Sequence, residues 1–353
     1  MKRSDAYGSF FLEPGKPLEK RELPVKEPGM DEVLIAVAGC GLCHTDIGFL
    51  DGTVQTKSPL PLILGHEISG KVIAAGKNYE KLGGTNVVVP AVLPCGACRL
   101  CTGGRSNICR DQKIPGNDFN GGFASHITVP GRFLCPLPSD TGDLSVAHLS
   151  VIADAVATPY QALIRSGLHG GELAIIVGAG GLGIYMVQLA ARAGATVIAV
   201  DIEEAKLRRA GDLGAHFVVN ARGISEKDLK QVVRAFVKDH GLPAYGWKVF
   251  ETSGTAAGQK AAFQFLSYAG AIAIVGFTME TIPVRLSNLM AFDADMFGNW
   301  GCKPELYPEL VKMVLRSEIN IKDTVELRPL DSINEVIAMA MQHKLEKRVI
   351  FIP

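Results

Sequence analysis

At 353 residues the chain is long enough for about two domains, each with its own core. Hydrophobic content of 47% and charged content of 20% describe an ordinary soluble globular protein. Lys+Arg and Asp+Glu are both 36, and a formal net charge of zero argues against a nucleic-acid partner or a polybasic membrane role.

The opening MKRSDAYGSFFLEPGKPLEK has no apolar stretch long enough for a signal peptide, so a cytoplasmic protein with reduced or metallated cysteines is expected. The first 150 or so residues are rich in Gly and Pro and fall into short β-like runs at 33–38, 87–89 and 123–129. They predict an irregular, mainly-β domain.

Within that domain CGLCHTD, Cys40 to Asp46, follows a strand, and Gly65-His66-Glu67 comes about twenty residues later. A catalytic zinc needs three protein ligands and one open position. Cys43 and His66 can supply two. From the residues alone the third is open among Glu67, Cys40, His44 and a downstream carboxylate. A zinc knuckle of Cys40 and Cys43, or a buried cysteine beside a core histidine, explains the same residues equally well.

Further on, Cys95, Cys98, Cys101 and Cys109 stand at C-x2-C-x2-C-x7-C. Thiolates this crowded repel one another unless a soft cation sits among them. Tetrahedral Zn²⁺ with four sulfurs is the expected answer, in a closed site that holds structure. Disulfides would need an oxidising compartment for which the sequence offers no support.

From about residue 155 strands alternate with helices. Strands are expected at 174–177, 196–200, 217–219, 248–250 and 271–275, with helices at 184–193, 203–213 and 226–240. This pattern predicts a doubly wound parallel sheet. Leu173 to Ala191 carries no charge over nearly the length of a membrane span, but its clustered glycines read as strand, tight turn and helix. The tail from about 304 is expected to be helical and to end on a strand at 348–352.

Gly178-Ala-Gly-Gly-Leu-Gly183 matches G-x-G-x-x-G, follows a buried strand and opens a helix. Gly178, Gly180, Gly181, Leu182 and Gly183 would bring backbone N–H groups to a pyrophosphate at the helix N-terminus. Asp201, about twenty residues on, ends the next strand where a carboxylate would accept hydrogen bonds from the adenosine ribose and repel a 2′-phosphate. NAD is therefore expected over NADP, with Lys206 and Arg208 close enough to soften the repulsion.

CGLCHTD, GHE-x2-G, the four-cysteine lobe and VGAGGLG occur in that order along essentially the whole chain. In this the chain resembles the zinc-dependent medium-chain alcohol dehydrogenases. The resemblance implies a GroES-like catalytic domain at 1–154 with the zinc lobe at 95–109. It further implies a Rossmann NAD-binding domain at 155–303 and a return to the catalytic domain at 304–353. It implies two zinc ions per subunit, the catalytic one on Cys43 and His66.

Many members take their third ligand from a cysteine just before the cofactor domain, where this chain has Asp154. The resemblance makes Asp154 the ligand here, although an Asp opening a helix is more often an N-cap. It also makes Glu67 a transient or outer ligand and Asp46 the group that orients His66. Thr45 would touch the substrate oxygen, Thr158 the nicotinamide, and Arg348 with His44 the pyrophosphate. The proton-relay histidine of many members is missing, since Ile47, Gly48 and Phe49 occupy the nearby positions.

Two longer stretches, 153–162 and 287–302, are similar to the 6-hydroxycyclohex-1-ene-1-carbonyl-CoA dehydrogenases. These enzymes oxidise a ring hydroxyl beside a CoA thioester in anaerobic benzoyl-CoA degradation. The likeness implies a CoA thioester as substrate, although no CoA signature is present. Polyol, threonine or simple alcohol dehydrogenation by the same zinc and NAD is the other expectation within the class. An NAD-binding module with two architectural zinc sites is the expectation outside it. Members are usually dimers or tetramers, so a homo-oligomer without nucleic-acid or membrane partners is expected.

Overall fold

The computed structural model describes residues 5–353. Eight strands precede residue 140: β1 (Tyr7–Phe11), β2 (Glu19–Glu22), β3 (Glu32–Gly41), β4 (Leu62–Ile63), β5 (Glu67–Ala75), β6 (Asn86–Val89), β7 (His126–Pro130) and β8 (Cys135–Pro136). Six more follow in the middle of the chain: β9 (Leu173–Val177), β10 (Thr196–Asp201), β11 (Phe217–Asn220), β12 (Lys248–Glu251), β13 (Ala271–Ile274) and β14 (Asp295–Gly298). The chain closes with β15 (Val325–Pro329) and β16 (Arg348–Ile352).

Two compact units result, one of residues 1–157 with 301–353 and one of residues 158–300. In the first, β15-β16-β3-β5-β6-β8 form a mixed sheet with β7 also paired to β3, and β2-β1-β4 form a small antiparallel sheet. Val33, Ile35, Ile68, Val72, Val87, Val89 and Phe123 are fully buried in its core. The β3 register brings the site together: Gly41 pairs with Glu67 of β5 on one side and with Ile350 of β16 on the other.

The second unit is a six-stranded sheet in the order β11-β10-β9-β12-β13-β14, and every pair in it is parallel. All five residues of β9, LAIIV, are buried, as a strand covered on both faces requires. The strand order reverses between β9 and β12, which places the ends of these two strands at the topological switch point where doubly wound sheets bind ligands. The architecture is the expected one: an irregular mixed-sheet unit and a doubly wound parallel sheet.

Local differences have physical causes. The run at 123–129 enters strand only at His126, because Ser125 turns its hydroxyl and backbone to Tyr7 instead. The tail is not purely helical, since β15 inserts between the helices Tyr307–Leu315 and Ile333–Met341 to pair with β16. Its sequence VELRP alternates weakly and ends in Pro, so it gives little strand signal. The strand β14 was likewise unmarked in the sequence, being DMFG with three of four residues polar, small or exposed. The uncharged stretch around Gly178 resolves into β9, a turn and the helix Gly183–Arg192, and no helix among the described residues is long and apolar enough to cross a membrane.

Candidate active site

Cys43 sits just past β3 in extended backbone and heads the helix His44–Leu50. Asp46, fully buried in that helix, fixes the surroundings: one carboxylate oxygen accepts from Cys43 N at 3.0 Å, the other from Gly65 N at 3.1 Å. The Gly65 turn must be glycine. Its φ is +94°, and a Cβ there would lie 2.7 Å from Cys40 Sγ and 2.8 Å from the Phe123 ring. His66 and Glu67 follow directly, with Glu67 opening β5.

Cys43, His66, Glu67 and Asp154 bring one ligand atom each to within 4.8 Å of one another. Cys43 Sγ is 3.7 Å from Asp154 Oδ2, and His66 Nε2 is 3.7 Å from the same oxygen. The other His66 nitrogen, Nδ1, is 3.7 Å from Asp46. Thr45 is exposed, and its Oγ1 lies 3.7 Å from Cys43 Sγ. Asp154 is not an N-cap: it ends the 3-10 helix Val146–Ala153, and the next helix starts at Ala157. Cys40 lies within β3, fully buried, and is outside this group, as is the exposed His44.

Electrostatics at this cluster favour a cation. Burial opposes charge on His66, yet Asp46, Cys43 and Asp154 outweigh it and hold the imidazole pKa well above its ordinary value. Burial pushes the Glu67 carboxyl up to about 7 against the pull of Arg348, whose Nη1 lies 2.6 Å from Glu67 Oε1. Glu67 Oε2 is buried without a hydrogen-bond partner. A sulfur, an imidazole nitrogen and carboxylate oxygens at these separations suit a tetrahedral zinc, whose ligand atoms stand about 3.3–3.8 Å apart.

The lobe of Cys95, Cys98, Cys101 and Cys109 also fits. Its sulfurs approach to 3.5 Å for Cys98–Cys101, 3.8 Å for Cys98–Cys109 and 3.9 Å for Cys95–Cys101, edges expected of a tetrahedron with Zn–S bonds of about 2.3 Å. All four cysteines are free of disulfides. Backbone N–H groups of Ala97 and Cys98 point at the Cys95 sulfur and lower its pKa to about 6.

In the second unit the glycine turn joins β9 to its helix. Gly178 has φ +94°, and a Cβ on it would meet the Ser253 backbone at 2.6 Å; a Cβ on Gly183 would fall 1.7 Å from Gly178 O. Gly180, Gly181 and Leu182 lie between them at the partly exposed apex. Asp201 ends β10 and anchors the turn, its Oδ2 accepting from Ala179 N at 2.7 Å. Its Oδ1 accepts from Ile202 N and Glu203 N. Thr158 is buried in the same unit, its carbonyl accepting from Asn299 Nδ2 at 3.1 Å.

Arg348, expected at the pyrophosphate, has its Nη1 engaged by Glu67 Oε1 and Leu42 O. No ion pair joins Lys206 or Arg208 to Asp201 among the described residues. The cation at that corner is Arg222, which sequence reasoning missed. The parallel register was the missing information: Asp201 pairs with Asn220, so position 222 falls beside Glu203.

Comparison with known proteins agrees with both halves. The family described as alcohol dehydrogenase GroES-like domain matches residues 29–139, and the zinc-binding dehydrogenase family matches residues 181–316. An alcohol dehydrogenase of Geobacillus stearothermophilus is 31% identical over 338 residues, covering 95% of this chain and 96% of the relative. A D-arabinose 1-dehydrogenase (NADP(+)) of Saccharolobus solfataricus is 29% identical over 96% of this chain and 95% of its own length. The crystal structure of the alcohol dehydrogenase of the hyperthermophilic archaeon Aeropyrum pernix superposes with a TM-score of 0.86 at 29% identity, covering 98% of this chain and 100% of that one. The chain therefore belongs to the zinc-type medium-chain alcohol dehydrogenase family, as an NAD(P)-dependent oxidoreductase acting on CH–OH groups.

Proposed function

We propose that the chain is an NAD-dependent dehydrogenase that oxidises a secondary alcohol to a ketone with Cys43, His66 and Asp154 as the catalytic zinc ligands. The observation that carries this reading is the convergence of those three side chains, with Glu67 beside them, on one buried point. When bound there, zinc supplies Lewis acidity toward the hydroxyl oxygen. Two anionic ligands and a neutral imidazole match its charge, and a carboxylate in place of a thiolate donates less electron density. Asp46 orients His66, and Glu67 waits beside the ligands under the control of Arg348.

Thr45 would accept a hydrogen bond from the substrate hydroxyl and hand its own proton on as it takes that one, a role supported by the 3.7 Å between its Oγ1 and Cys43 Sγ. With NAD bound, its ribose hydroxyl and water would offer that proton a way out. Asp201 binds the adenosine ribose, the turn from Gly178 to Gly183 the pyrophosphate, and Thr158 the nicotinamide. Asp201 accepts three backbone N–H bonds, so its carboxylate is held in place at the end of β10, which favours NAD.

The proposed substrate is 6-hydroxycyclohex-1-ene-1-carbonyl-CoA, oxidised to the 6-oxo product. Support for it is the likeness of residues 153–162 and 287–302 to dehydrogenases of that thioester. The relatives' names favour a second reading, a simple alcohol or polyol, since they include alcohol and sorbitol dehydrogenases. Assembly as a homo-oligomer is part of the proposal, supported by Phe277, Met290 and Trp300, which stand at least half exposed in the unit of β14. A cytoplasmic setting is proposed because thiolate zinc sites need reducing conditions to load.

The test is NADH formation from NAD with simple and cyclic alcohols, polyols and 6-hydroxycyclohex-1-ene-1-carbonyl-CoA. Turnover of the thioester far above the free alcohols is expected. Turnover of free alcohols with no response to the thioester would discard the substrate and keep the zinc–NAD reading.

A further inference from the structure

Where β10 and β11 end side by side, a guanidinium pairs with one of three neighbouring carboxylates. Arg222 Nη2 donates to Glu203 Oε1 at 2.8 Å, and its Nε donates to Ile202 O at 3.1 Å. The Arg222 backbone N donates to Asn220 Oδ1 at 3.0 Å, while Asn220 Nδ2 donates to Glu204 Oε2 at 3.0 Å. Glu203 N in turn donates to Asp201 Oδ1 at 2.9 Å. Every member of this chain of contacts lies within the second unit, at the carboxylate that the proposed function gives to the adenosine ribose.

The Arg222–Glu203 pair is exposed, with side-chain exposures of 63% and 48%. Such a pair adds little to stability. It does decide what the guanidinium can do. A planar guanidinium is the group best suited to grip a phosphate with two parallel N–H bonds. Here its Nε and Nη2 are directed to a carbonyl and a carboxylate close to Asp201.

We infer that the Glu203–Arg222 pair is a cofactor-specificity element: Glu203 withholds the Arg222 guanidinium from a 2′-phosphate. Discrimination then acts twice, by repulsion at Asp201 and Glu203 and by denial of Arg222, which is specificity obtained by opposing the wrong ligand. The inference rests on the cofactor site proposed above.

The experiment is calorimetric titration of the full-length, zinc-loaded chain with ADP-ribose and with 2′-phospho-ADP-ribose, ligands that lack nicotinamide and so report binding without turnover. Wild type, Glu203→Gln, Arg222→Gln and the double variant are compared at one ionic strength, with thermal melts as the control for folding. Glu203→Gln is expected to tighten 2′-phospho-ADP-ribose by about tenfold, the worth of a charge-assisted hydrogen bond, and ADP-ribose by less than about twofold. The double variant is expected to lose that gain.

An unchanged ratio between the two ligands in Glu203→Gln would overturn the inference. So would a gain that survives in the double variant, because it would report charge removal rather than release of Arg222. Failure of ADP-ribose to bind the wild type would overturn the cofactor site and the inference with it, whereas ADP-ribose binding with an unmoved ratio would overturn the inference alone.

Discussion

Arg348 and Glu67, 281 positions apart, form a buried ion pair with Nη1 and Oε1 2.6 Å from each other. Two strand registers make this possible: β3 pairs with β5 through Gly41 and Glu67, and β16 pairs with β3 through Ile350 and Gly41. The last strand thus delivers a cation to the carboxylate beside the proposed zinc ligands. Glu67 still has a raised pKa, because burial outweighs the guanidinium.

Removing only the cation should therefore be costly. Arg348→Leu is expected to destabilise the fold by about 1–3 kcal/mol, because Glu67 then takes up a proton and is left buried with its acceptor unsatisfied. Adding Glu67→Gln to it should recover part of that loss. Chemical denaturation of the two variants checks this, and equal stability of wild type and Arg348→Leu would contradict it.

The cysteine lobe should behave as a folding element. Cys101→Ser is expected to lose one zinc per chain and to lower the melting temperature by about 5 °C or more, since metal affinity here is folding energy. Metal analysis combined with a thermal melt reads both. A full zinc complement with an unchanged melt would show that Cys101 is not a ligand.

At the ribose corner, Asp201→Ala should weaken NAD by about tenfold or more through loss of a charged acceptor, and NADP by less. Both cofactors should weaken somewhat, because Asp201 also anchors Ala179 N in the glycine turn. Fluorescence titration of each reduced cofactor gives the ratio. An unmoved ratio would remove Asp201 from cofactor choice.

Glu251, at the end of β12, is fully buried, and burial raises its pKa despite donors from Ser253, Gly254 and Gly276. The folded chain thus binds this proton more tightly than the unfolded chain. The group favours the fold at pH below the ordinary glutamate value, and that contribution is lost as pH rises through the raised folded value. The stability of wild type minus that of Glu251→Gln should therefore fall as pH rises above the ordinary glutamate value. A difference that grows with pH over that window would contradict the shift.

Much of this was legible in the sequence because the signals are local. The strand–turn–helix around Gly178, the cysteine lobe and the paired CGLCHTD and GHE stretches each declare themselves within a few residues. What could not be read depends on register or on distant packing. Asp154 reads as a helix cap from its neighbours alone and as a ligand only through the family resemblance; the fold carries it to within 3.7 Å of Cys43 Sγ. Asp46 was read as a partner of His66, yet its closest bonds go to the backbone of Cys43 and Gly65. Arg222 carries no motif; only the pairing of Asp201 with Asn220 places it beside Glu203. The strand β15 shows itself only because β16 is there to pair with it.

The most direct measurement is zinc content together with NADH formation for wild type and Asp154→Ala, each purified without added metal. Two zincs per wild-type chain and one in Asp154→Ala are expected, with turnover lost by at least about a hundredfold and ADP-ribose binding retained. Two zincs and intact turnover in Asp154→Ala would contradict the assignment of Cys43, His66 and Asp154 as the catalytic metal site.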